Sequence, residues 1–419
     1  MGEGMNAAAR LAKNALKAVT TPRMRDGIKK TMLQCYSVLF FSGTRAIVNR
    51  LPFGVNLIGH IRGDFGLGQS CRLVAGALYA REIPCSIVNI FLNGPASETN
   101  TDWLDQERTA CPYRVNLVHL NPGELSNALW FINPSVLRGR YNIAYWLWEL
   151  PEFPNTWDYT FRLFNEIWTP AEFVSEAIRK RTDKPVYTMP YGLTVPETER
   201  RFDRAHFGLP MDRFLYLISY DGNSVSDRKN PEGAIRAFQH AFPKGSGNVG
   251  LVIKATHEKD GRLERMLAQL EGHHVTVLTK SYSKVEFNSL LACADVYVSL
   301  HRAEGFGLVM AEAMLLGTPV IATNWSANTE FMNKDTACMV DAEAVALEKD
   351  CPPYRKGYHW AEPDEEQAAL WMRRLYRDSA FRERLSRQAK AHLSDEFSPQ
   401  RAGERMKKRL DELRIELER

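Results

Sequence analysis

Short apolar runs alternate with amphipathic stretches along most of the chain. Phe53–Ile61 (FGVNLIGHI) predicts a buried strand. It runs into RGDFGLGQSCRLVAGALYARE, a glycine-rich turn followed by a helix from about Gln69 to Arg81. Ile83–Ile90 (IPCSIVNI) predicts the next strand. Strand, turn, helix and strand make a βαβ unit, and hence a parallel sheet. The segments ALWFINP, YNIAYWLWELPEFP and NEIWTPAEFVSEAI continue the alternation, and Pro185–Leu193 (PVYTMPYGL) predicts the last strand of the first half. A polar stretch punctuated by Pro and Gly predicts a linker over 194–212. A second alternation follows. FLYLISYD (Phe214–Asp221), VGLVIKAT, VTVLTK, DVYVSL and PVIAT predict strands, and NPEGAIRAFQHAF, GRLERMLAQLEG and KVEFNSLLACA predict helices, the first opened by Pro231. From about Glu365 onward the pattern is helical and charged.

The chain therefore reads as α/β, with βαβ-rich halves over 51–193 and 213–395, a terminal helix over 396–419 and a leader over 1–50. Its 419 residues are long for one core and agree with two domains. Doubly wound sheets bind ligands beyond the carboxyl ends of their strands, which puts a site in the cleft between the halves.

Composition adds little: 44% apolar and 25% charged residues describe an ordinary globular chain, and a net charge of +4 does not point to nucleic acid. The distribution of charge is more informative. Residues 1–50 hold nine Lys or Arg against Glu3 and Asp26, so the remainder is net negative. That leader also carries CYSVLFF (Cys35–Phe41), and a basic segment with aromatics suits an anionic membrane face as well as it suits a solvated arm. No cleavage site follows the apolar patch, so no secretory leader is expected. No apolar run approaches the roughly 18 residues of a membrane span. The seven cysteines are scattered without a Cys-x-x-Cys, which predicts a reducing, cytoplasmic setting and neither zinc nor disulfides.

The most chemical stretch is HRAEGFGLVMAEAMLLGTPVIAT (His301–Thr323). DVYVSL ends at Leu300 and helix-forming residues resume near Leu308, so His301–Gly307 is the strand-to-helix loop. Gly305 and Gly307 let a ligand approach backbone. The new helix offers unpaired N–H groups and a partial positive charge to an anion. Glu304 precedes that helix and Glu312 lies just over one turn into it, about 10 Å apart at ~1.5 Å per helical residue plus the loop. Carboxylates accept from vicinal diols. A nucleotide diphosphate sugar suits the layout, its diphosphate at the helix and its sugar and ribose at the two acids. A solvated helix face is the plainer explanation of a Glu pair, and the flanking glycines and apolar strands weigh against it.

EGFGLVMAEAMLLGTPVIAT resembles the Glu-(seven residues)-Glu signature of glycosyltransferase family 4, and WAEPD (Trp360–Asp364) is similar to that family too. The resemblance is strong over about 214–395, looser over 53–193 and absent from 1–50. It implies the GT-B fold, two Rossmann-like domains facing a cleft with the C-terminal helix crossing back to the first, and a retaining hexosyl transfer. It implies that Glu304 faces the donor sugar, that Glu312 holds the ribose, and that Phe306, Gly307 and Leu308 offer backbone N–H groups. Family members often place an Arg and a Lys five apart on the donor diphosphate. Here Lys229 fits the Lys, Ser224 stands where the Arg is usual, and Arg228 is the candidate to supply that charge. Gly66, Leu67 and Gly68 are similar to the family's first glycine loop, and would form a cleft wall touching donor phosphate and acceptor. The family's histidine in the first half is missing, and Glu149 or Trp148 are candidates to line the acceptor side instead, although core packing explains the Trp residues. His301 either bonds substrate or caps its strand; His60 and Arg62 are equally ambiguous.

No Asp-x-Asp and no metal-ligand spacing is present, which predicts a metal-independent reaction served by cations and a helix dipole. No cofactor is expected beyond the nucleotide sugar donor, with a weak preference for GDP-mannose. The expected partners are a saccharide or lipid-linked acceptor, such as one of lipopolysaccharide or polysaccharide synthesis, and an anionic membrane surface met by 1–50 at the inner face of the cytoplasmic membrane. Two alternatives stay open: another GT-B enzyme, such as a sugar-nucleotide epimerase or a phosphorylase, and a catalytically silent sugar-nucleotide binder.

Overall fold

The computed structural model describes residues 51–90, 100–128, 136–195, 202–245, 248–258 and 261–418, with 24, 27, 31 and 35. The leader read over 1–50 thus lies, but for those isolated positions, outside the described residues, as do 196–201 of the linker.

The first half contains β1 (Val55–Gly59), α1 (Gly66–Tyr79), β2 (Cys85–Asn89), β3 (Val115–His119), α2 (Pro122–Ala128), β4 (Tyr141–Tyr145), β5 (Glu166–Thr169), α3 (Glu172–Arg179) and β6 (Val186–Thr188). Its six strands form one parallel sheet in the order β2-β1-β3-β4-β5-β6. All of β1 and β3 is buried, as expected of a parallel sheet covered on both faces, which is why they read as apolar runs without alternation.

The second half contains β7 (Phe214–Asp221), α4 (Ser226–Lys229), α5 (Pro231–Ala241), β8 (Val249–Thr256), α6 (Arg262–Gln269), β9 (Val275–Leu278), α7 (Lys284–Cys293), β10 (Val296–Ser299), α8 (Leu308–Leu316), β11 (Val320–Thr323) and β12 (Cys338–Val340). These strands form a second parallel sheet, β12-β11-β10-β7-β8-β9. An antiparallel pair, β13 (Ala342–Ala346) and β14 (His359–Pro363), follows, then α9 (Glu365–Arg377), α10 (Ser379–Glu396) and α11 (Pro399–Glu418). The strand order reverses between β1 and β3 in one sheet and between β7 and β10 in the other. In sheets of this kind loops leaving such neighbouring strands diverge, and ligands usually bind between them.

Three expectations are corrected. The strand read over Pro185–Leu193 ends at Thr188. Residues 202–212 are not a free linker: Phe207 and Leu209 are buried, and Arg204 pairs with Asp295 at 2.7 Å. Gly66, Leu67 and Gly68 are the first turn of α1 and not a loop.

The chain passes between the halves twice, after β6 and again between α10 and α11. The crossings touch: the Leu193 N–H donates to the Phe397 carbonyl at 2.7 Å. A Cβ on Gly192 would lie 2.6 Å from Pro399 Cα, so glycine permits this approach. α11 then lies along α1 in the first half, where Arg409 reaches the fully buried Glu166 at 2.8 Å. One apolar core runs through both halves at this seam, with Tyr191 meeting Phe306 edge-on at 4.8 Å between ring centroids.

Candidate functional site

The reversal point of the second sheet assembles the charges that the sequence separates by 75 positions. The turn after β7 carries α4, and its last two residues, Arg228 and Lys229, meet the loop after β10. The Lys229 ammonium is paired with Glu304 Oε1, and Arg228 NH1 lies 3.3 Å from Glu304 Oε2. Arg228 also donates to the Ala303 carbonyl at 2.7 Å. The loop is pinned from below by the Glu304 N–H donating to Ser326 Oγ at 2.8 Å. Burial pushes the Glu304 carboxyl up, but Lys229, Arg228 and His301 outweigh it and bring it down to about 2. Glu304 therefore stays ionised at every physiological pH. Because its folded value is depressed, the pair's contribution to stability is complete above the ordinary carboxylate range of ~4.3 and fades as pH falls toward 2. The stability gap between wild type and Glu304→Gln should be constant from about pH 7 to 5 and shrink below about 4; urea melts across that range read it, and a constant gap would remove the ion pair from the argument.

Asn230 fixes the junction behind these cations. It adopts a left-handed conformation at φ 49°, its Oδ1 accepts from the Gly233 N–H at 3.1 Å to cap α5, and its Nδ2 donates to the Leu300 carbonyl at 2.9 Å. Arg302 clasps the same turn from the other side. Its N–H donates to the Arg228 carbonyl and its NH1 to the Asp227 carbonyl, both at 2.7 Å, and it forks onto Glu362 of β14 at 2.6 and 2.8 Å. WAEPD thus has a placement role here: Glu362 orients Arg302, and the Trp360 ring lies 5.3 Å from its guanidinium.

α8 begins at Gly307, whose φ of 96° is a left-handed N-cap that a side chain would strain. Among the described residues nothing accepts from the N–H groups of Gly305 through Val309, so five donors point out at the helix start. The Phe306 side chain is buried between Tyr191 and Phe331, leaving only its backbone for a ligand. Glu312 is buried at the fifth position of α8. Its Oε1 is paired with Lys284 at the start of α7, and its Oε2 has no partner among the described residues. The two acids are accordingly not partners for each other. Lys284 was invisible to sequence reasoning, although the capping box Ser283–Glu286 around it marks a helix start.

His301 turns inward. It is fully buried, with Nε2 3.0 Å from Asn328 Oδ1 and Nδ1 3.1 Å from Ser299 Oγ, and burial lowers its pKa, so of its two expected roles the structure favours the supporting one. Ser224 sits in the turn after β7, its N–H donating to the Asp221 carbonyl at 3.0 Å.

The first half supplies the opposite wall. Gly305 approaches the Trp148 carbonyl closely enough that a Cβ would stand 3.3 Å away. Trp148 is buried and donates Nε1 to the Glu152 carbonyl at 2.9 Å, a packing role. Glu149 is half-exposed and faces the buried Tyr354 hydroxyl beside Arg228. Burial works against the Arg228 charge; Tyr354, Glu304 and Glu149 around it raise its pKa above the ordinary arginine value. Sequence reasoning missed Tyr354, which stands a little before WAEPD and belongs to no motif of its own. Gly66 and Leu67 remain accessible at the α1 start, but Gly68 is internal: a Cβ there would stand 2.0 Å from the Gly63 carbonyl. His60 is also internal, 2.8 Å from the Ile90 carbonyl, and Arg62 forks onto Glu107 at 2.7 Å. Among the described residues no cluster of His, Cys, Asp or Glu has the form of a metal site, and no helix is long and apolar enough to cross a membrane.

Comparison with known proteins follows the same division. Residues 200–392 match the family described as Glycosyl transferases group 1. A 91-residue stretch is 32% identical to MMP alpha-(1->4)-mannosyltransferase of Mycolicibacterium hassiacum, covering 22% of this chain and only 22% of that protein. Sucrose-phosphate synthase from Thermosynechococcus elongatus superposes at a TM-score of 0.62 with 14% identity, over 86% of this chain and 99% of that one. Anabaena Alr3699/HepE, solved with UDP and glucose, superposes at 0.59 with 14% identity, over 86% of this chain and 100% of that one. The chain thus has the GT-B fold of two facing parallel-sheet domains, and the second of them carries the Glycosyl transferases group 1 match.

Proposed function

We propose that the protein is a retaining glycosyltransferase that moves a hexose from a nucleotide diphosphate sugar to a saccharide or lipid-linked hydroxyl acceptor. The observation that carries this reading is the Glu304–Lys229–Arg228 cluster set beside the unpaired N–H groups at the start of α8. A diphosphate fits there as an anion among two cations and a helix N-terminus. When the sugar–phosphate bond breaks, negative charge develops on the departing nucleoside diphosphate. Lys229, Arg228 and the α8 dipole are already in place to stabilise it, and no metal is invoked. Glu304 holds the cations in position and faces the sugar. Glu312 offers its unpartnered Oε2 to the ribose diol, and Glu149 lines the acceptor side. Mannose from GDP-mannose is the favoured donor, supported by the mannosyltransferase relative. A cytoplasmic site at the inner membrane face is likewise proposed, with 1–50 as its contact.

The direct test is transfer from a panel of UDP- and GDP-sugars to glycolipid and polysaccharide acceptors, with the product anomer assigned by NMR. Inversion would overturn retention, and donor turnover without acceptor would favour an epimerase. Glu312→Ala should weaken donor binding roughly tenfold or more, since a hydrogen bond to a charged group contributes about 1.5–3 kcal/mol, with turnover at saturating donor little changed. Unchanged donor affinity by calorimetry would remove Glu312 from the ribose role.

A further inference from the structure

One cation of the second half has no task in the chemistry above. Lys254 stands near the carboxyl end of β8, inside an otherwise apolar run, and is only 5% exposed. Among the described residues no acceptor lies within hydrogen-bonding distance of its ammonium, which stands 5.2 Å from the centroid of the Tyr282 ring. Its stem is packed in the core, an ammonium without an acceptor there gains little from the protein, and an aromatic face compensates only in part. Burial pulls its pKa down to about 8 in spite of Asp221.

Its surroundings place it beside the cleft. Lys254 is in register with Ser219 of β7 and Leu278 of β9, so the three side chains leave the sheet on one face. Ser219 Oγ and the Tyr297 hydroxyl lie 2.9 Å apart, and Tyr297 belongs to the core that Tyr191 and Phe306 share across the seam. Two residues after Tyr282 comes Lys284, the partner of Glu312. The segment 280–284 therefore links the two: its Tyr282 ring lies by the ammonium of Lys254, and by that of Lys280 at 5.9 Å, while its Lys284 pairs with Glu312, whose Oε2 is buried and unpartnered. An ammonium without an acceptor and a carboxylate oxygen without a donor describe a ligand that donates a hydroxyl at one end and accepts a hydrogen bond at the other.

We propose that Lys254 reads the nucleobase of the donor and selects bases bearing an exocyclic carbonyl, uracil or guanine, over adenine. This rests on Glu312 holding the ribose. A ribose bound there directs its base toward Tyr282 and Lys254. An ammonium has three donors and no acceptor. It satisfies a carbonyl oxygen, whereas the exocyclic amine of adenine presents another donor to it.

The test is equilibrium binding of UDP, GDP and ADP to the full chain and to Lys254→Gln, whose amide both donates and accepts. Wild type should bind UDP or GDP at least tenfold more tightly than ADP. Lys254→Gln should bring that ratio to within about threefold, by weakening the preferred nucleotide at least tenfold. A thermal melt without nucleotide supplies a readout that a merely structural lysine would move the other way: removing an ammonium that has no acceptor in the protein should leave the Tm unchanged or raised. A preference of wild type for ADP overturns the inference, as does a variant that keeps wild-type discrimination or loses Tm. Failure of wild type to bind any nucleoside diphosphate would instead strike the glycosyltransferase reading itself.

Discussion

Replacing Lys229 by alanine is expected to lower turnover by about 10²-fold or more, the usual effect of removing one preorganised charge stabiliser. Lys229 is paired with Glu304 and stands beside Arg228 on a turn held by Asn230 and Arg302. In the proposed reaction it would meet the diphosphate without reorganising, and would be needed most as the leaving group becomes more negative. The loss should fall mainly on kcat, because in the proposed complex Arg228 and the N–H groups of Gly305 through Val309 would still hold the donor. Lys229→Arg keeps the charge but not the compact ammonium, and should recover only part of the rate. Steady-state kinetics on variants shown folded by circular dichroism decide the matter. Turnover within a few-fold of wild type would remove Lys229 from the chemistry.

The second large effect is on stability and lies far from the site. Arg409→Met should destabilise the protein by about 3–5 kcal/mol, the cost of leaving a buried charge without its partner. Glu166 is fully buried in the first sheet, where it accepts from Arg409 at 2.8 Å, from the Tyr141 hydroxyl at 3.0 Å and from Trp168 Nε1 at 2.7 Å. Arg409 is the only cation among these partners. Pairing the change with Glu166→Gln removes the stranded charge, and the double variant should recover much of the loss. Denaturant melts of the single and double variants measure this. Equal instability of Arg409→Met and the double variant would show that the helix packs by its apolar face alone.

The legible parts of this fold are those where burial on both faces leaves an unbroken apolar run. Phe214–Asp221 and Val249–Thr256 form strands with the limits their sequences predict. Helix starts are legible where a cap or proline marks them, as at Pro231, and misread where glycines do, as at Gly66–Gly68. The antiparallel pair of β13 and β14 is not legible in the sequence, because its residues mix exposed, half-buried and buried positions and carry no long apolar run. At the site, Glu304, Glu312 and Lys229 announce themselves by local context: a glycine turn, a strand before, a helix after. Their partners do not. Lys284 and Tyr354 reach the acids and cations through tertiary packing; the capping box around Lys284 marks a helix start but not its partner. Lys254 was an exception in principle, a lone charge inside an apolar strand, and its meaning depends on the ring of Tyr282, which only the fold brings to it.

The two adjoining passages of the chain between the halves set what relative motion the molecule permits. A single passage would be a tether, about which one half could swing and twist freely. Two passages fastened side by side, by the Leu193–Phe397 hydrogen bond and the tight seat of Gly192 against Pro399, act like paired pins on one edge of a door. Sliding and twisting strain both pins at once, while swinging about the line through them strains neither. The easy motion is therefore a gape with one axis, which parts Gly305 from Trp148 and returns them to the same register. In the proposed reaction such a motion would let a donor enter and its nucleotide leave without the two walls losing their alignment.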